Sequence, residues 1–495
     1  MENNENKITN ENPTPEISEQ QKALNNKMKK IFLNSFTTET EQFPVDEKKE
    51  EKKTEEIKDK ENKEKKIEEI KYKEIGNKKL EEIKDNIIPN KEGGSNEEIN
   101  KKQKQKFINI LNYKTEFNLK KFSKRFHLFY YTCKNPNEDK IIYKIGKIML
   151  FTYGKNFPKI TNYKNKKTYT SDTNWGCMLR CGQMILSHGI YRTLKSKKID
   201  TKNALYYSFS LFNNYPIKEE NLHKYFNGMI NKFSLLMKEG EGEENNKKIK
   251  VKDFFPPFSI KTICDFGELS ERSAGEWFSD VVITHIFKNI SEYYELFNNP
   301  ELNIKIMNFQ SCIEIKDILN TCFVSKKYEK GNDNYVKLNK KLYYFDKMGI
   351  IFVNIRVGLQ AIPKEYYPGI KELFNLKECI GIIGGKTRQA YYFIGYNEND
   401  DSLLYLDPHV TKEDDKNINI NNILSKHLIK QIHLLKMNKM STAFTIGFCF
   451  RNYDEFLHLF EFWQKAKQNT VPILGVVKQP IVVDIKHKDL DGDDF

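Results

Sequence analysis

The chain has 495 residues, a formal net charge of +14 and 38% hydrophobic residues, with enough Phe and Tyr to fill a sizeable core. Its first ten residues lack the basic and apolar segments of a signal peptide, and no stretch reaches the ~20 apolar residues that span a bilayer, so we expect a cytoplasmic protein. The 8 cysteines follow no regular spacing, which excludes a disulfide scaffold.

Residues 1–105 are rich in Lys, Glu and Asn and almost free of aromatic side chains. Such a composition cannot bury a core, so we predict a disordered tail, which also explains the mean hydropathy of -0.69. Residues 72–75 place an aliphatic residue three positions after an aromatic one, a pattern that adds to a partner's sheet edge but also arises by chance. Lys and Glu nearly balance here, so the positive charge belongs to the remainder. It forms no arginine-rich stripe there, and we predict no nucleic-acid partner.

Aromatic residues become frequent at Phe107 and remain so to Trp463, which predicts one folded domain over 106–470 and a C-terminal tail over 471–495. Polar insertions at 239–250 and 326–334 predict surface loops. Periodicity predicts helices over 177–194, 274–289 and 453–467, and strands over 350–356, 391–396, 403–406 and 445–450. The helices and strands come in blocks, which favours an α+β fold.

Small and polar residues over 170–174 lead into Trp175, Gly176 and Cys177, after which an apolar helical periodicity begins. We therefore predict Cys177 at the first turn of a helix. Unpaired backbone N–H groups and the helix dipole favour a thiolate there, and the backbone N–H at the cysteine can bind the oxyanion of an acyl-transfer intermediate. On its position alone, Cys177 is better explained as an ordinary small core residue.

Cys181 follows one helical turn later, and residues four apart share a helix face. A zinc site needs about four ligands, and no second closely spaced Cys or His pair completes one. We therefore assign Cys181 to packing and predict no metal and no cofactor.

Among nine histidines, His409 is the one with a carboxylate at an informative spacing. An apolar strand ends in Asp407, Pro408 and His409, and side chains two apart in extended backbone point to the same side. Pro408 fixes its own φ and keeps Asp407 out of helical backbone, which holds the pair rigidly. Asp-Pro is also common in ordinary turns, so the pair alone does not indicate catalysis. Together with an activated cysteine upstream, it favours a catalytic triad.

The segment 381–387 contains three glycines followed by Lys386 and Thr387, like a phosphate-binding loop. That motif needs glycine where Ile380 stands and a helix afterwards, whereas a strand is predicted here. We therefore reject nucleotide binding and predict a flexible glycine-rich loop that covers a substrate groove.

Together these residues resemble the autophagins, the autophagy-related cysteine peptidases that process a ubiquitin-like modifier and release it from membrane lipid. The resemblance is close over 170–184 and covers about residues 107 to 465. Further matching segments are 151–153, 156–158, 275–277, 356–359, 381–386, 392–396 and 406–409. It implies a papain-like α+β fold with a smaller accessory subdomain.

By this resemblance Cys177 is the nucleophile, His409 the general base and acid, and Asp407 the residue that orients His409. Tyr153 matches the family tyrosine that helps to stabilise the oxyanion, although by itself it is equally a core aromatic. No counterpart of the charged N-terminal tail aligns with the family.

Trp277 matches the tryptophan that narrows the groove for the substrate's C-terminal glycine, together with the loop containing Gly384, Gly385 and Lys386. From the residues alone, Trp277 is a packing residue. Two positions depart from the family pattern. Asn174 replaces a glycine, though Asn tolerates left-handed backbone, and Thr387 stands where the loop commonly has proline.

The resemblance implies a monomeric peptidase that cleaves after the C-terminal glycine of a ubiquitin-like autophagy modifier, in its precursor and its phosphatidylethanolamine-linked form. Contact with the membrane is expected through the lipidated substrate. Two alternatives stay open. One is a catalytically silent module that binds the same modifier, and the other is a peptidase for ubiquitin or another ubiquitin-like protein.

Overall fold

The structure, a computed structural model, describes residues 126–133, 147–216, 255–297, 302–328, 334–338, 341–414, 431–466 and 475–476, with the single residues 332, 416, 427 and 429. The predicted tail at 1–105, the aromatic and aliphatic pattern at 72–75 and the loop at 239–250 lie outside the described residues. The domain boundaries at 105 and 470 stay predictions.

The helices in the described ranges are α1 (Cys177–Ser196), α2 (Thr201–Ser210), α3 (Ile260–Gly267), α4 (Asp280–Tyr293), α5 (Ile315–Cys322), α6 (Tyr367–Asn375) and α7 (Tyr453–Ala466). Within those ranges, no helix has both the length and the apolar character needed to cross a bilayer. The predicted helices at 177 and 453 are confirmed.

The predicted start of a helix at Ala274 was wrong, because α4 begins at Asp280. Gly275 has a φ of +87°, which an α-helix does not accommodate. Ser279 instead caps α4, since its hydroxyl accepts the backbone N–H of Val282 at 3.2 Å. The apolar residues before Ser279 therefore belong to a turn.

The strands are β1 (Phe126–Leu128), β2 (Tyr131–Cys133), β3 (Gly154–Thr161), β4 (Thr168–Ser171), β5 (Ile304–Gln310), β6 (Cys312–Ile313), β7 (Phe323–Lys326), β8 (Tyr335–Leu338), β9 (Lys341–Phe345), β10 (Met348–Arg356), β11 (Cys379–Lys386), β12 (Gln389–Asn397), β13 (Ser402–Leu406), β14 (Lys412–Glu413), β15 (His433–Lys436), β16 (Ala443–Phe450) and β17 (Gly475–Val476). The four predicted strands correspond to β10, β12, β13 and β16 and are confirmed.

The central sheet has the strand order β15-β13-β12-β11-β16-β10-β5, and the short hairpin of β1 and β2 joins it at β12. The β10–β5 pair is parallel, whereas β10 pairs with β16 in antiparallel fashion. Ile350 and Phe352 of β10 pack into a buried cluster with α1 to α4, and the alternate residues Ile351 and Val353 pack with α5 to α7. Helices thus cover both faces, which confirms the α+β prediction.

In the described ranges three smaller sheets lie outside the central one, and the shortest is the parallel pair of β6 and β17. β7, β9 and β8 form an antiparallel sheet, and the predicted surface loop at 326–334 lies between β7 and β8, with Lys326 ending β7. β3 pairs with β4 and, in parallel, with β14. The β14–β3–β4 sheet matters for function, because it joins the segments before α1 and after β13.

Candidate active site

Cys177 is the first residue of α1, as predicted, and its side chain is fully buried. Asn174 has a φ of +73°, so the asparagine adopts the left-handed backbone for which glycine is the usual residue. The indole Nε1 of Trp175 donates to the Ser171 carbonyl at 3.0 Å, and Gly176 N donates to the Asp172 carbonyl at 2.8 Å. The turn before the cysteine is therefore fixed by hydrogen bonds within its own segment.

A buried ion pair holds this turn against α1. Arg180 Nε donates to Asp172 Oδ2 at 2.7 Å and Nη2 donates to Oδ1 at 3.1 Å, with both side chains almost completely buried. Asp172 Oδ1 also accepts the backbone N–H of Gly154 at 2.6 Å. Burial by itself lowers the pKa of Arg180, but the Asp172 carboxylate outweighs burial and raises it. Asp172 thus links α1 to the start of β3.

Replacement of Asp172 by Asn is expected to lower the free energy of unfolding by about 3–5 kcal/mol, because it leaves the Arg180 charge buried without a counter-charge. Urea denaturation of both proteins at neutral pH measures the difference. The matched control is Asp401→Asn, which breaks the Lys371–Asp401 pair at 3.1 Å, where Asp401 is 50% exposed. We expect that change to cost no more than about 1 kcal/mol, and equal losses would contradict the prediction.

Asp407 and His409 lie directly after β13, and their side chains meet as predicted. Nδ1 of His409 donates to Asp407 Oδ1 at 2.5 Å, and the His409 backbone N–H donates to the same oxygen at 3.0 Å. Tyr153 N donates to the Pro408 carbonyl at 3.0 Å, and Lys412 N donates to the Tyr153 carbonyl at 2.9 Å. These backbone bonds fasten the Asp-Pro-His segment beside Tyr153.

The pKa values of the pair are shifted in opposite directions. Burial by itself lowers the pKa of His409, but the hydrogen bond and charge of Asp407, together with the nearby Cys177, raise it to about 9. Burial by itself raises the pKa of Asp407, and the hydrogen bonds from His409 lower it below its ordinary value. The environment therefore favours an imidazolium beside a carboxylate.

Cys177 is close enough to His409 to raise its pKa. Even so, the buried Nε2 of His409 has no hydrogen-bond partner of good geometry among the described residues. Cys177 and His409 are therefore neighbours without a formed hydrogen bond between their side chains. Nε2 is consequently available to take a proton from a thiol and to give a proton to a leaving amine.

Two tyrosines flank the His409 imidazole. The rings of Tyr153 and His409 are 5.5 Å apart at an interplanar angle of 87°, and those of Tyr391 and His409 are 5.6 Å apart at 70°. Burial and the neighbouring Cys177 raise the pKa of Tyr153 above its ordinary range, which keeps its hydroxyl protonated. Sequence reasoning selected Tyr153 but missed Tyr391, which looks like any other residue of an apolar strand.

Cys181 lies one turn beyond Cys177, with its side chain fully buried. Burial is the largest cause of a pKa well above the ordinary thiol value, and the charges of Cys177 and Asp407 add to it. A thiol held in its neutral form is a poor nucleophile and a poor metal ligand. These properties support the assignment of Cys181 to packing.

A cleft of about 610 Å³ adjoins the start of α1. Trp175 and Met178, on either side of Cys177 in sequence, line it, and so does Trp277, which is 38% exposed. Gly384, Gly385 and Lys386 also line it, so the residues predicted for a substrate groove lie together. The buried Cys177 is not part of the lining.

The predicted flexible loop at Gly384, Gly385 and Lys386 was wrong in its secondary structure. These residues end β11, and Lys386 pairs with Gln389 across a two-residue turn in which Arg388 has a φ of +64°. A Cβ on Gly385 would lie 1.9 Å from the Gln389 carbonyl oxygen, so glycine permits this close pairing. The glycines permit a hairpin of paired strands along the cleft, and the strand after them agrees with the rejection of a phosphate-binding loop.

Comparison with known proteins identifies the family of the chain. The model of the peptidase C54 catalytic domain matches residues 138–462. The cysteine protease ATG4C of Xenopus laevis is 30% identical over 335 residues, which cover 63% of this chain and 67% of the relative. ATG4C of Homo sapiens is 27% identical and covers 63% of this chain and 68% of its own length. The cysteine protease ATG4A of Gallus gallus is 22% identical, with coverages of 70% and 83%.

The family match spans more than half of the chain, and it includes Cys177, Asp407 and His409. The resemblance stated from the sequence is therefore confirmed, as is the papain-like form of the α+β fold. The chain belongs to the peptidase C54 family, the autophagins, and is a cysteine peptidase of the autophagy pathway.

Proposed function

We propose that the protein cleaves after the C-terminal glycine of a ubiquitin-like autophagy modifier, with Cys177 as nucleophile. The observation that carries this proposal is the contact of His409 with Asp407 at 2.5 Å beside Cys177 at a helix N-terminus. A nucleophile, a base and a group that orients the base are the elements of acyl transfer by a thiol. Membership of a family of cysteine proteases supports the same chemistry.

In the proposed reaction, the Cys177 thiolate attacks the glycine carbonyl carbon and forms a tetrahedral oxyanion. The Tyr153 hydroxyl and the backbone N–H at Cys177 stabilise this oxyanion. The C–N bond then breaks, and His409 gives its Nε2 proton to the departing amine, which leaves a thioester on Cys177. His409 next takes a proton from water, whose oxygen attacks the thioester and releases the glycine carboxylate and the thiol. Asp407 orients the imidazole throughout.

The cleft supports a substrate whose end is an extended tail with glycine at the cleaved bond. Trp277 and the β11–β12 hairpin with Gly384 and Gly385 both line the cleft. Because glycine has no side chain, the two glycines leave room for the backbone of a substrate beside the Trp277 indole. Because Cys177 is fully buried, the substrate must widen this groove to reach it.

In this proposal the same acyl-transfer reaction releases two different amines. With a peptide amine the product is the mature modifier, and with the amine of phosphatidylethanolamine the product is the modifier released from lipid. In this proposal the enzyme acts as a cytoplasmic monomer without a cofactor. It contacts the membrane through its lipidated substrate.

The test is incubation of the full-length protein with a ubiquitin-like autophagy modifier that carries a C-terminal extension, followed by mass spectrometry of the products. Cleavage after the glycine is expected. A substrate with that glycine replaced by valine is the matched control and should stay intact. Absence of cleavage under reducing conditions, together with retained binding, would favour the silent binding module.

The alternative substrate class is tested with the same assay. Ubiquitin carrying a C-terminal extension should be cleaved far more slowly than the autophagy modifier. Faster cleavage of ubiquitin would transfer the proposal to the other peptidase class. The same panel, repeated with the lipidated modifier on vesicles, separates precursor processing from delipidation.

Tyr391 is expected to position the His409 imidazole. Its ring packs edge-on against His409 and lies 4.3 Å from the ring of Tyr405, so it forms one wall of the imidazole site. Replacement of Tyr391 by Leu removes that edge contact, and we expect kcat to fall about tenfold. KM should remain near the wild-type value, and Tyr391→Phe should restore most of kcat. A rise in KM with unchanged kcat would instead indicate a contact with substrate.

A further inference from the structure

A second cleft, of about 190 Å³, lies between the β1–β2 hairpin and the C-terminal half of α1. Four cationic side chains line it, namely Lys147, Arg192, Lys195 and Arg451. Arg192 follows Cys177 by fifteen residues along α1, which places the two about 22 Å apart along the helix axis. The cleft is therefore separate from the candidate active site.

The two guanidinium groups of the cleft, Arg451 and Arg192, have different kinds of partner. Arg451 Nε donates to Glu455 Oε2 at 2.9 Å, so this guanidinium has a carboxylate partner. Arg192 Nη1 donates instead to the Cys379 carbonyl at 3.0 Å, and its Nη2 donates to the Lys377 carbonyl. Within the described part of the chain no carboxylate forms an ion pair with Arg192. Two carbonyls fix the guanidinium while its charge and part of its five N–H donors remain available.

Lys195, like Arg192, is held by a backbone carbonyl. Its Nζ donates to the Ile199 carbonyl at 2.6 Å and forms no ion pair with a described carboxylate. Among the described residues that line the cleft, none is Asp or Glu. Among the described lining residues, Arg192 and Lys195 thus bring two positive charges that no described ion pair offsets.

Tyrosines complete the lining. Tyr130, on the turn of the hairpin, is 42% exposed, and Tyr131 lies beside it. Burial raises the pKa of Tyr131 above its ordinary range, while the charges of Arg192 and Arg451 act in the opposite direction. Both guanidinium groups therefore lie near Tyr131, whose hydroxyl stays protonated. The cleft combines fixed cations with phenolic hydroxyls.

We propose that this cleft binds a phosphate group, either as free phosphate or as the headgroup phosphate of a lipid. Arginine matches the oxygens of phosphate in planar, paired hydrogen bonds, and lysine adds a mobile positive charge. The volume is below the ~300 Å³ at which pockets for drug-sized ligands begin, so a nucleotide does not fit and a phosphate with a short substituent does. This inference does not depend on the proposed peptidase mechanism.

Isothermal titration of the full-length protein with inorganic phosphate, at constant ionic strength set by chloride, tests the site. Wild type should bind phosphate saturably, and Arg192→Gln should weaken binding at least about tenfold. Arg192 also donates hydrogen bonds to two carbonyls, so its replacement can disturb the local structure. The double variant Lys147→Gln/Lys195→Gln is therefore the second test and should weaken phosphate binding similarly. The matched control is Lys197→Gln, which removes one charge from the exposed C-cap of α1 and should bind like wild type.

Co-sedimentation with vesicles distinguishes the two sources of phosphate. Vesicles of phosphatidylcholine with phosphatidic acid should retain wild type and the Lys197→Gln control, and lose the double variant, if the site takes a lipid headgroup. Phosphate binding without this vesicle effect assigns the site to a free anion. Absence of saturable phosphate binding by wild type, or equal binding by the double variant and the control, overturns the proposal.

Discussion

Replacement of Cys177 by Ala is expected to abolish cleavage of the modifier while its binding survives. The variant removes the atom that forms the thioester, and loss of a nucleophile of this kind costs about 10⁶-fold in kcat, which is below detection in a product assay. Binding should persist because the cleft is lined by other residues, among them Trp277 and the β11–β12 hairpin. Mass spectrometry of the products and a direct binding titration measure the two properties separately.

The matched control is Cys181→Ala, four residues further along the same helix. Cys181 is equally buried and its thiol is held neutral, so its loss should leave cleavage near the wild-type rate. Residual cleavage by Cys177→Ala, or loss of cleavage in both variants alike, would contradict the assignment of the nucleophile. Loss of binding in Cys177→Ala would show that the cysteine has a structural role.

Replacement of Asp407 by Asn should lower kcat/KM by roughly 10³- to 10⁴-fold, because the amide no longer orients the imidazole or stabilises its charged form. The change should also shift the pH profile. Asp407 helps to raise the pKa of His409 to about 9, so the wild-type enzyme keeps its imidazolium up to that pH. Without the carboxylate this pKa falls, and activity should decline at a lower pH in the variant.

Measurement of kcat/KM between pH 6 and 10 for both proteins checks the rate and the shift together. Glu372→Gln is the control, because it neutralises an exposed carboxylate on α6 and should change neither quantity. A loss of rate with an unmoved high-pH limb would mean that Asp407 acts only through geometry. An unchanged rate would remove Asp407 from the proposed triad.

The helices and strands that the sequence predicted correctly are those with a residue pattern within their own segment. The helix predicted over 177–194 ends at Ser196, and the strand predicted over 391–396 extends from Gln389 to Asn397. Both segments are buried along nearly their whole length, and their apolar residues can be recognised in the sequence without knowledge of a partner element. β14 has two residues and no such repeat, because its pairing with β3 depends on where the rest of the chain has already folded.

In the candidate active site, too, contacts between residues close in sequence were predictable and contacts between distant residues were not. Asp407 and His409 are two residues apart, so their contact followed from strand geometry. Sequence reasoning missed the Asp172–Arg180 ion pair, although both residues lie in the segment that identified Cys177. The pair stabilises the turn because both side chains are almost completely buried, and burial is not visible in the sequence. His458 and Glu378 meet at 2.9 Å across 80 positions, a pairing that no spacing rule reveals. Only the fold distinguishes such tertiary pairs from the local one.

The β14–β3 pairing also bears on how the protein folds. Asn156 donates to Glu413 across 257 positions, and the neighbouring backbone bonds hold the Asp-Pro-His segment beside Tyr153. Closing so long a loop costs conformational entropy before the contacts at its ends can stabilise it, so such pairings form slowly. During refolding, helices and hairpins should therefore appear first and catalytic competence last. Recovery of peptidase activity would then report completion of the native state.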